Sequence, residues 1–282
     1  GDTELPERIH GSVDIAEAAR RPLILVVVPS AVARVVLSQL AAEGIAKETV
    51  IVSCTKGIDP QRGCLMHDLI AEIFPGNPTA VLSGPSHAEE VARRIPTLAT
   101  IGSAEPEVAD FVQDIFTLPW FRTYTSDDVI GIELGGVVKN VFAIAAGAAD
   151  GLGLGDNAKA AMVTRALAEM TRLGTAMGGQ ELTFRGLSGM GDLIVTCYSE
   201  HSRNNRVGRM MGSGMTLDDA IAPMNQVAEG VPNAKNVYQL ARKRNVRTPL
   251  IDEVYAVLYE DKPAEAALRE LLERDPRSEQ DD

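Results

Sequence analysis

The amino-acid sequence predicts an α/β protein in two parts: an incomplete doubly wound sheet over residues 1–125, then an all-helical second domain over residues 126–282. Three observations carry this reading. In the first part, five short aliphatic runs alternate with helical stretches, the pattern of strand–helix–strand units. Past Ser126 such runs nearly vanish and helical periodicity takes over. Just after the join, residues 134–149 (LGGVVKNVFAIAAGAA) are apolar on every side, as a buried helix is, and carry one charge, Lys139.

The chain opens on a loop-like segment, residues 1–11, and a short helix. Residues 23–29, LILVVVP, form a continuous aliphatic run closed by Pro29, which reads as a strand of a parallel sheet covered on both faces. A helix over 30–44 follows, with Ser30 as N-cap and Gly44 at its end. Strand 49–57 leads to helix 61–73, strand 80–86 to helix 87–94, and strand 97–102 to helix 106–117; 121–125 is a last short strand. Connections should be right-handed, with ligands outside the carboxyl ends of the strands. The later helices are expected over 126–149, 157–177, 189–198, 203–212, 216–222, 231–244, 250–259 and 263–273.

Composition narrows the function classes. The 282 residues are 45% hydrophobic and 23% charged, a globular composition of a size for two domains. A net charge of −12 without a basic stripe argues against nucleic acid or an anionic membrane as partner. An anionic small molecule would need a local cluster of cations. The stretch 134–149 is shorter than the roughly 20 apolar residues of a membrane span and is interrupted by Lys139, so no span is expected. Cys54, Cys64 and Cys197 form no CxxC pair, which points to a reducing cytoplasm. The four histidines (His10, His67, His87, His201) have no metal-ligand spacing, and no metal site is expected. No signal or transit segment is expected from the residues given, and the first of them is not Met. The strand–GxGxxG–helix opening of a dinucleotide-binding sheet is also absent, so the first βαβ unit of such a sheet is expected to be missing.

Five groups of residues could carry chemistry. Lys139, beside Asn140, is an ammonium where solvation should be poor; burial lowers its pKa and makes it a usable general acid or base, unless it snorkels to water. Thr55-Lys56-Gly57 at a strand end could hold a phosphate or be a surface turn. Ser83-Gly84-Pro85-Ser86 opens a helix and could bind an anion, or Ser86 could be a plain N-cap. Asp192, in the run 188–193, starts an apolar helix as a catalytic carboxylate or a cap. Ser202-Arg203-Asn204-Asn205-Arg206 suits bidentate phosphate recognition or is a basic turn.

Taken in order, these groups resemble the NAD(P)-dependent glycerol-3-phosphate dehydrogenases. The matching residues are Thr55-Lys56-Gly57, SGPSHAEE at 83–90, GGVVKNVFAIAAG at 135–147, GLGLGDNAKAA at 151–161, GDLIVTCYSEHSRNNRVG at 191–208 and QVAEG at 226–230. The likeness spans about residues 5–270. It implies a Rossmann-like first domain and interconversion of sn-glycerol 3-phosphate and dihydroxyacetone phosphate with NAD or NADP, supplying phospholipid synthesis. By the resemblance, Lys139 is the general acid/base, Lys56 stabilises the developing alkoxide, and Asp192 holds both lysines and a substrate hydroxyl. Gly84, Ser86, Ser202, Arg203 and Asn204 would join Lys56, Lys139 and Asp192 in lining the substrate. Lys56, Ala88, Arg203, Val227 and Glu229 would contact the cofactor. A cytoplasmic homodimer is implied. The rivals are a 3-hydroxyacid or 2-dehydropantoate-type reductase, which also uses a lysine on the first helix of its second domain, and a truncated form that binds substrate without turnover. The Ser202-Arg203-Asn204 block fits phosphate better than a carboxylate.

Overall fold

Hydrophobic runs at the predicted positions form a five-stranded sheet. The structure, a computed structural model, describes residues 7–279 except 225 and 277. Residues 1–6 of the expected opening loop lie outside the described residues. A short helix, α1 (Ile15–Ala19), precedes β1 (Leu23–Val26), α2 (Ser30–Ala42), β2 (Val50–Ser53), α3 (Met66–Ile73), β3 (Thr79–Ser83), α4 (Ala88–Ala92), β4 (Thr97–Gly102), α5 (Pro106–Phe116) and β5 (Phe121–Ser126). The strands lie in sequence order, β1-β2-β3-β4-β5. β1, β2 and β3 are parallel, with Ile24 opposite Ile51 and Val52 opposite Ala80; β4 and β5 are parallel to each other.

The sheet is mixed rather than wholly parallel, because β3 and β4 are antiparallel, Leu82 facing Ile101. The reason lies in α4. Five helical residues rise about 7.5 Å, too little to carry the chain back along a strand of about 17 Å. The segment after Ser83 therefore turns at the carboxyl end of β3 and re-enters the sheet from the same side.

After β5 the chain is helical: α6 (Val129–Gly151), α7 (Asp156–Ala176), α8 (Glu181–Phe184), a π-helical turn (Leu187–Gly191), α9 (Asp192–Tyr198), α10 (Arg203–Gly212), α11 (Leu217–Ile221), α12 (Gly230–Lys243), α13 (Pro249–Tyr259) and α14 (Ala264–Leu272). The expected helix 189–198 is thus a wide turn followed by a regular helix, and α8 was not expected. α6 is the axis of this half. Val137, Val138, Val141, Phe142 and Ile144 on it share one core with Met170, Phe184, Leu193, Val237 and Ile251 from the surrounding helices.

α6 also corrects the length expectation. At 23 residues it is long and apolar enough to cross a membrane by length and composition, yet 83% of its apolar window is buried inside the protein. Helices rather than lipid cover its faces. The expected cap at Ser30 is corrected as well, and of the two readings open at Ser86 the plain N-cap falls. The N-cap of α2 is Pro29, and Ser30 begins the helix instead. The N-cap of α4 is His87, while Ser86 Oγ donates to the Gly84 carbonyl at 3.0 Å.

Candidate active site

α6 carries Lys139 into the angle between the sheet and the helical half. Gly136, one turn earlier, permits this, since a Cβ there would stand 2.8 Å from Ser83 Oγ and 3.3 Å from Lys56 Cγ. Lys139 does not snorkel: it is 5% exposed. Its ammonium donates to Asp192 Oδ1 at 2.6 Å and to Thr196 Oγ1 at 2.7 Å. Lys56, in the loop leaving β2, donates to the other carboxylate oxygen, Asp192 Oδ2, at 2.6 Å and to the Gly84 carbonyl at 3.0 Å. One buried carboxylate therefore holds two ammoniums. Asp192 starts α9 without capping it, so its charge is directed to the lysines.

Electrostatics follow from this burial. Loss of solvation pushes Lys139 down to about 8; Asp192 opposes the shift and Lys56 adds to it. Burial works against the charge on Asp192, but Lys139 and Lys56 together hold it below the ordinary carboxylate range. The site thus keeps an anion fixed while leaving Lys139 able to exchange a proton near neutral pH. Cys54 nearby is half-buried, and loss of solvation pushes its thiol up to about 11, which keeps it protonated at neutral pH.

A ladder of amides braces the lysines. Asn140 Nδ2 donates to the Gly136 carbonyl at 3.2 Å, and Asn204 Nδ2 donates to Asn140 Oδ1 at 2.9 Å. Asn204 Oδ1 accepts from Gly230 N at 2.9 Å, and Asn233 Nδ2 donates to the Lys56 carbonyl at 3.0 Å. α6, α10, α12 and the Lys56 loop are locked together by these bonds. Ser202 Oγ caps α10 by accepting from Asn205 N at 3.2 Å. Arg203 is exposed, and its Nη1 donates to the Val227 carbonyl at 2.8 Å. Glu229 Oε2 accepts from Ser30 Oγ at 2.6 Å and Oε1 from Ser30 N at 3.1 Å, tying α12 to the first turn of α2.

Lys56, Ser86, Ala88, Lys139, Asp192, Ser202, Arg203, Asn204, Val227 and Glu229 all line one cleft of about 740 Å3. Gly84 does not line the cleft; its carbonyl anchors Lys56 and Ser86 from behind. Val27, Val28, Pro29 and Leu82 at the strand ends give the cleft an apolar side, and Thr55 Oγ1 fixes the Lys56 loop by donating to the Val28 carbonyl at 2.8 Å. Sequence reasoning missed Thr196, Asn233, His87 and His201 as site residues. Thr196 had a signal, for it lies four residues after Asp192 on one helical face. Among the described residues no group of three or more His, Cys, Asp or Glu side chains could hold a metal ion.

Comparison with known proteins gives two family matches. The model of the NAD-dependent glycerol-3-phosphate dehydrogenase C-terminus matches residues 128–269, and that of the N-terminus matches residues 1–109. A Lysinibacillus sphaericus relative named glycerol-3-phosphate dehydrogenase (NAD(P)+) is 48% identical, covering 100% of this chain and 84% of its own length. A Geobacter sulfurreducens relative of the same name is 47% identical over 98% of this chain and 83% of its own. Among solved structures, glycerol-3-phosphate dehydrogenase from Coxiella burnetii superposes with a TM-score of 0.93 at 39% identity, covering 97% of this chain and 84% of that one. The Saccharomyces cerevisiae enzyme superposes at 0.83 with 26% identity, covering 97% of this chain and 82% of that one.

Proposed function

Because the chain belongs to the NAD-dependent glycerol-3-phosphate dehydrogenase family, we propose that it interconverts sn-glycerol 3-phosphate and dihydroxyacetone phosphate with NAD or NADP. One observation carries the mechanism: Lys139 and Lys56 share Asp192 in a cleft also lined by Ser202, Arg203 and Asn204. The 3-hydroxyacid and 2-dehydropantoate readings are not favoured, since relatives 45% and 48% identical over nearly the whole chain bear the glycerol-3-phosphate dehydrogenase name.

Lys139, as the neutral amine, takes the proton of the C2 hydroxyl in oxidation and returns it as the ammonium in reduction. Asp192 holds the amine in line and offsets the charge it gains. Lys56 stabilises the oxygen where negative charge develops. Arg203, with Ser202 and Asn204, grips the phosphate and supplies binding remote from the reacting carbon. Gly84 and Ser86 shape the wall between them. The residues present fit a nicotinamide dinucleotide: the cleft lies at the carboxyl ends of β1, β2 and β3 and has an apolar side. Lys56, Ala88, Arg203, Val227 and Glu229 would hold it. Bound there, it supplies the hydride acceptor or donor.

The same reading divides the chain near residue 125 into a cofactor-binding and a substrate-binding domain, and makes the protein a cytoplasmic homodimer. Size-exclusion chromatography with light scattering checks the dimer. Activity is tested by dihydroxyacetone phosphate-dependent oxidation of NADH and NADPH at 340 nm. Turnover with either, lost in Lys139→Met, is the expected result. Binding of the phosphate ester without turnover by the wild type would replace the enzyme with a substrate-binding form.

A further inference from the structure

One polar group in the cleft has no part in the scheme above. His87, the N-cap of α4, lines the cleft, and its Nε2 is buried without a hydrogen-bond partner among the described residues. Buried polar atoms of this kind are uncommon and call for a cause. A structural histidine would give the nitrogen a backbone carbonyl or side chain, and this one has neither. The ring of His201 stands 6.2 Å away, centroid to centroid, at 60°. His201 comes from the loop immediately before Ser202, so the two imidazoles bring the segment after β3 and the segment before α10 together at the Ser202–Arg203 end of the cleft.

We propose that His87 is a further substrate-binding residue, its Nε2–H donating to a phosphoryl oxygen of the ester gripped by Ser202, Arg203 and Asn204, with His201 flanking the same group. The inference rests on reading this cleft as a phosphate-ester site. A metal is not the partner, for among the described residues the two rings have no third His, Cys, Asp or Glu ligand beside them.

The charges around His87 support an anion. Lys139 on α6 and Lys56 beyond β2 face it together with Asp192 on α9, Glu89 on its own helix and His201 across the cleft. Burial, then Lys139 and Lys56, hold its imidazole below the ordinary histidine range, so without ligand it is neutral at pH 7. An incoming phosphate dianion reverses that balance and favours the imidazolium. The His87 imidazole should therefore titrate at higher pH in the complex than in the free protein.

The test follows the four histidine ring signals of the full chain, labelled with carbon-13 at Cε1, during titration with sn-glycerol 3-phosphate and, as control, glycerol. Wild-type His87, assigned through His87→Gln, should shift with saturation by the ester and titrate at higher pH in the complex, with glycerol inert. His87→Phe should weaken the ester about tenfold in Kd and KM with kcat changed less than about threefold, and His87→Gln, which restores an amide donor, should recover most of that loss. A His87 signal unmoved while the ester saturates the protein, with saturation abolished in Arg203→Ala, overturns the inference and leaves the site reading intact. No saturable ester binding by the wild type overturns the site reading, and the role of His87 falls with it.

Discussion

Burial moves Lys139 and Glu169 in opposite senses, and each leaves its own pH signature. Lys139 falls to about 8, so the amine is neutral above that pH and charged below it. Oxidation needs the neutral base and reduction the charged acid. kcat/KM for oxidation should rise through about pH 8 and that for reduction should fall above it. Lys139→Met should abolish both limbs and lower kcat by about 10²–10⁴-fold, measured as pH–rate profiles in both directions. Glu169 on α7 is 3% exposed and accepts from Leu250 N at 2.7 Å and Ile251 N at 3.3 Å, capping α13 from outside. Burial raises it to about 7 in spite of those donors. An acid raised in this way binds its proton more tightly folded than unfolded. Its contribution is complete below about pH 4.5 and is lost as pH climbs through about 7. Glu169→Gln keeps an acceptor for Leu250 without the charge, and should be more stable than wild type by about 1–3 kcal/mol at pH 8 with no gain at pH 4 in urea melts. Of these residues only Lys139 was legible in the sequence, through the apolar run around it. Asp192 lies 136 residues from Lys56 and 53 from Lys139, so no local pattern could join them.

Among the elements, the crossing of α6 and α10 is the closest. A Cβ on Gly208 would stand 1.9 Å from the Ile144 carbonyl oxygen, and one on Gly147 would stand 1.9 Å from that of Asn205. The two backbones touch where any side chain would part them. Gly208→Ala should therefore destabilise by about 3 kcal/mol or more and raise KM for the phosphate ester as Ser202 and Asn204 move away from Asn140; thermal melts and steady-state kinetics check both. Strands and helices were legible because period and length write them locally. The antiparallel entry of β4 was not, for it follows from a helix only five residues long. The cap expected at Ser30 and the cap left open at Ser86 fail for a related reason. Each hydroxyl has a better partner than the helix behind it, Glu229 in one case and the Gly84 carbonyl in the other.

The two halves are one molecule in their packing. Ile58 and Leu65, from the loop between β2 and α3, belong to the core built on α6. Glu133 on α6, fully buried, accepts from His67 N at 3.1 Å and pairs with its ring, binding α3 to the helical half. The Lys56–Asp192 pair crosses the same boundary. Calorimetry should give one endotherm with calorimetric and van't Hoff enthalpies equal within error, whereas two resolved transitions would mean that this shared core does not couple the halves. The division into a sheet part and a helical part could be read from where aliphatic runs stop. The interlocking could not, since it depends on residues from a loop that carries no periodicity.

The π-helical turn at Leu187–Gly191 holds one more residue per turn than the helix it feeds. Each residue of a regular helix advances the chain by about 100°. The aim of the carboxylate at Asp192 is thus set by counting: five residues in a wide loop of backbone fix the phase with which α9 leaves it. Deleting one, Met190 for instance, would tighten the turn and rotate the carboxylate away from both ammoniums. Such a protein should keep its helical content and lose turnover, as Asp192→Asn should. An active site here can be dismantled by a change of phase alone, with every functional side chain still in the sequence.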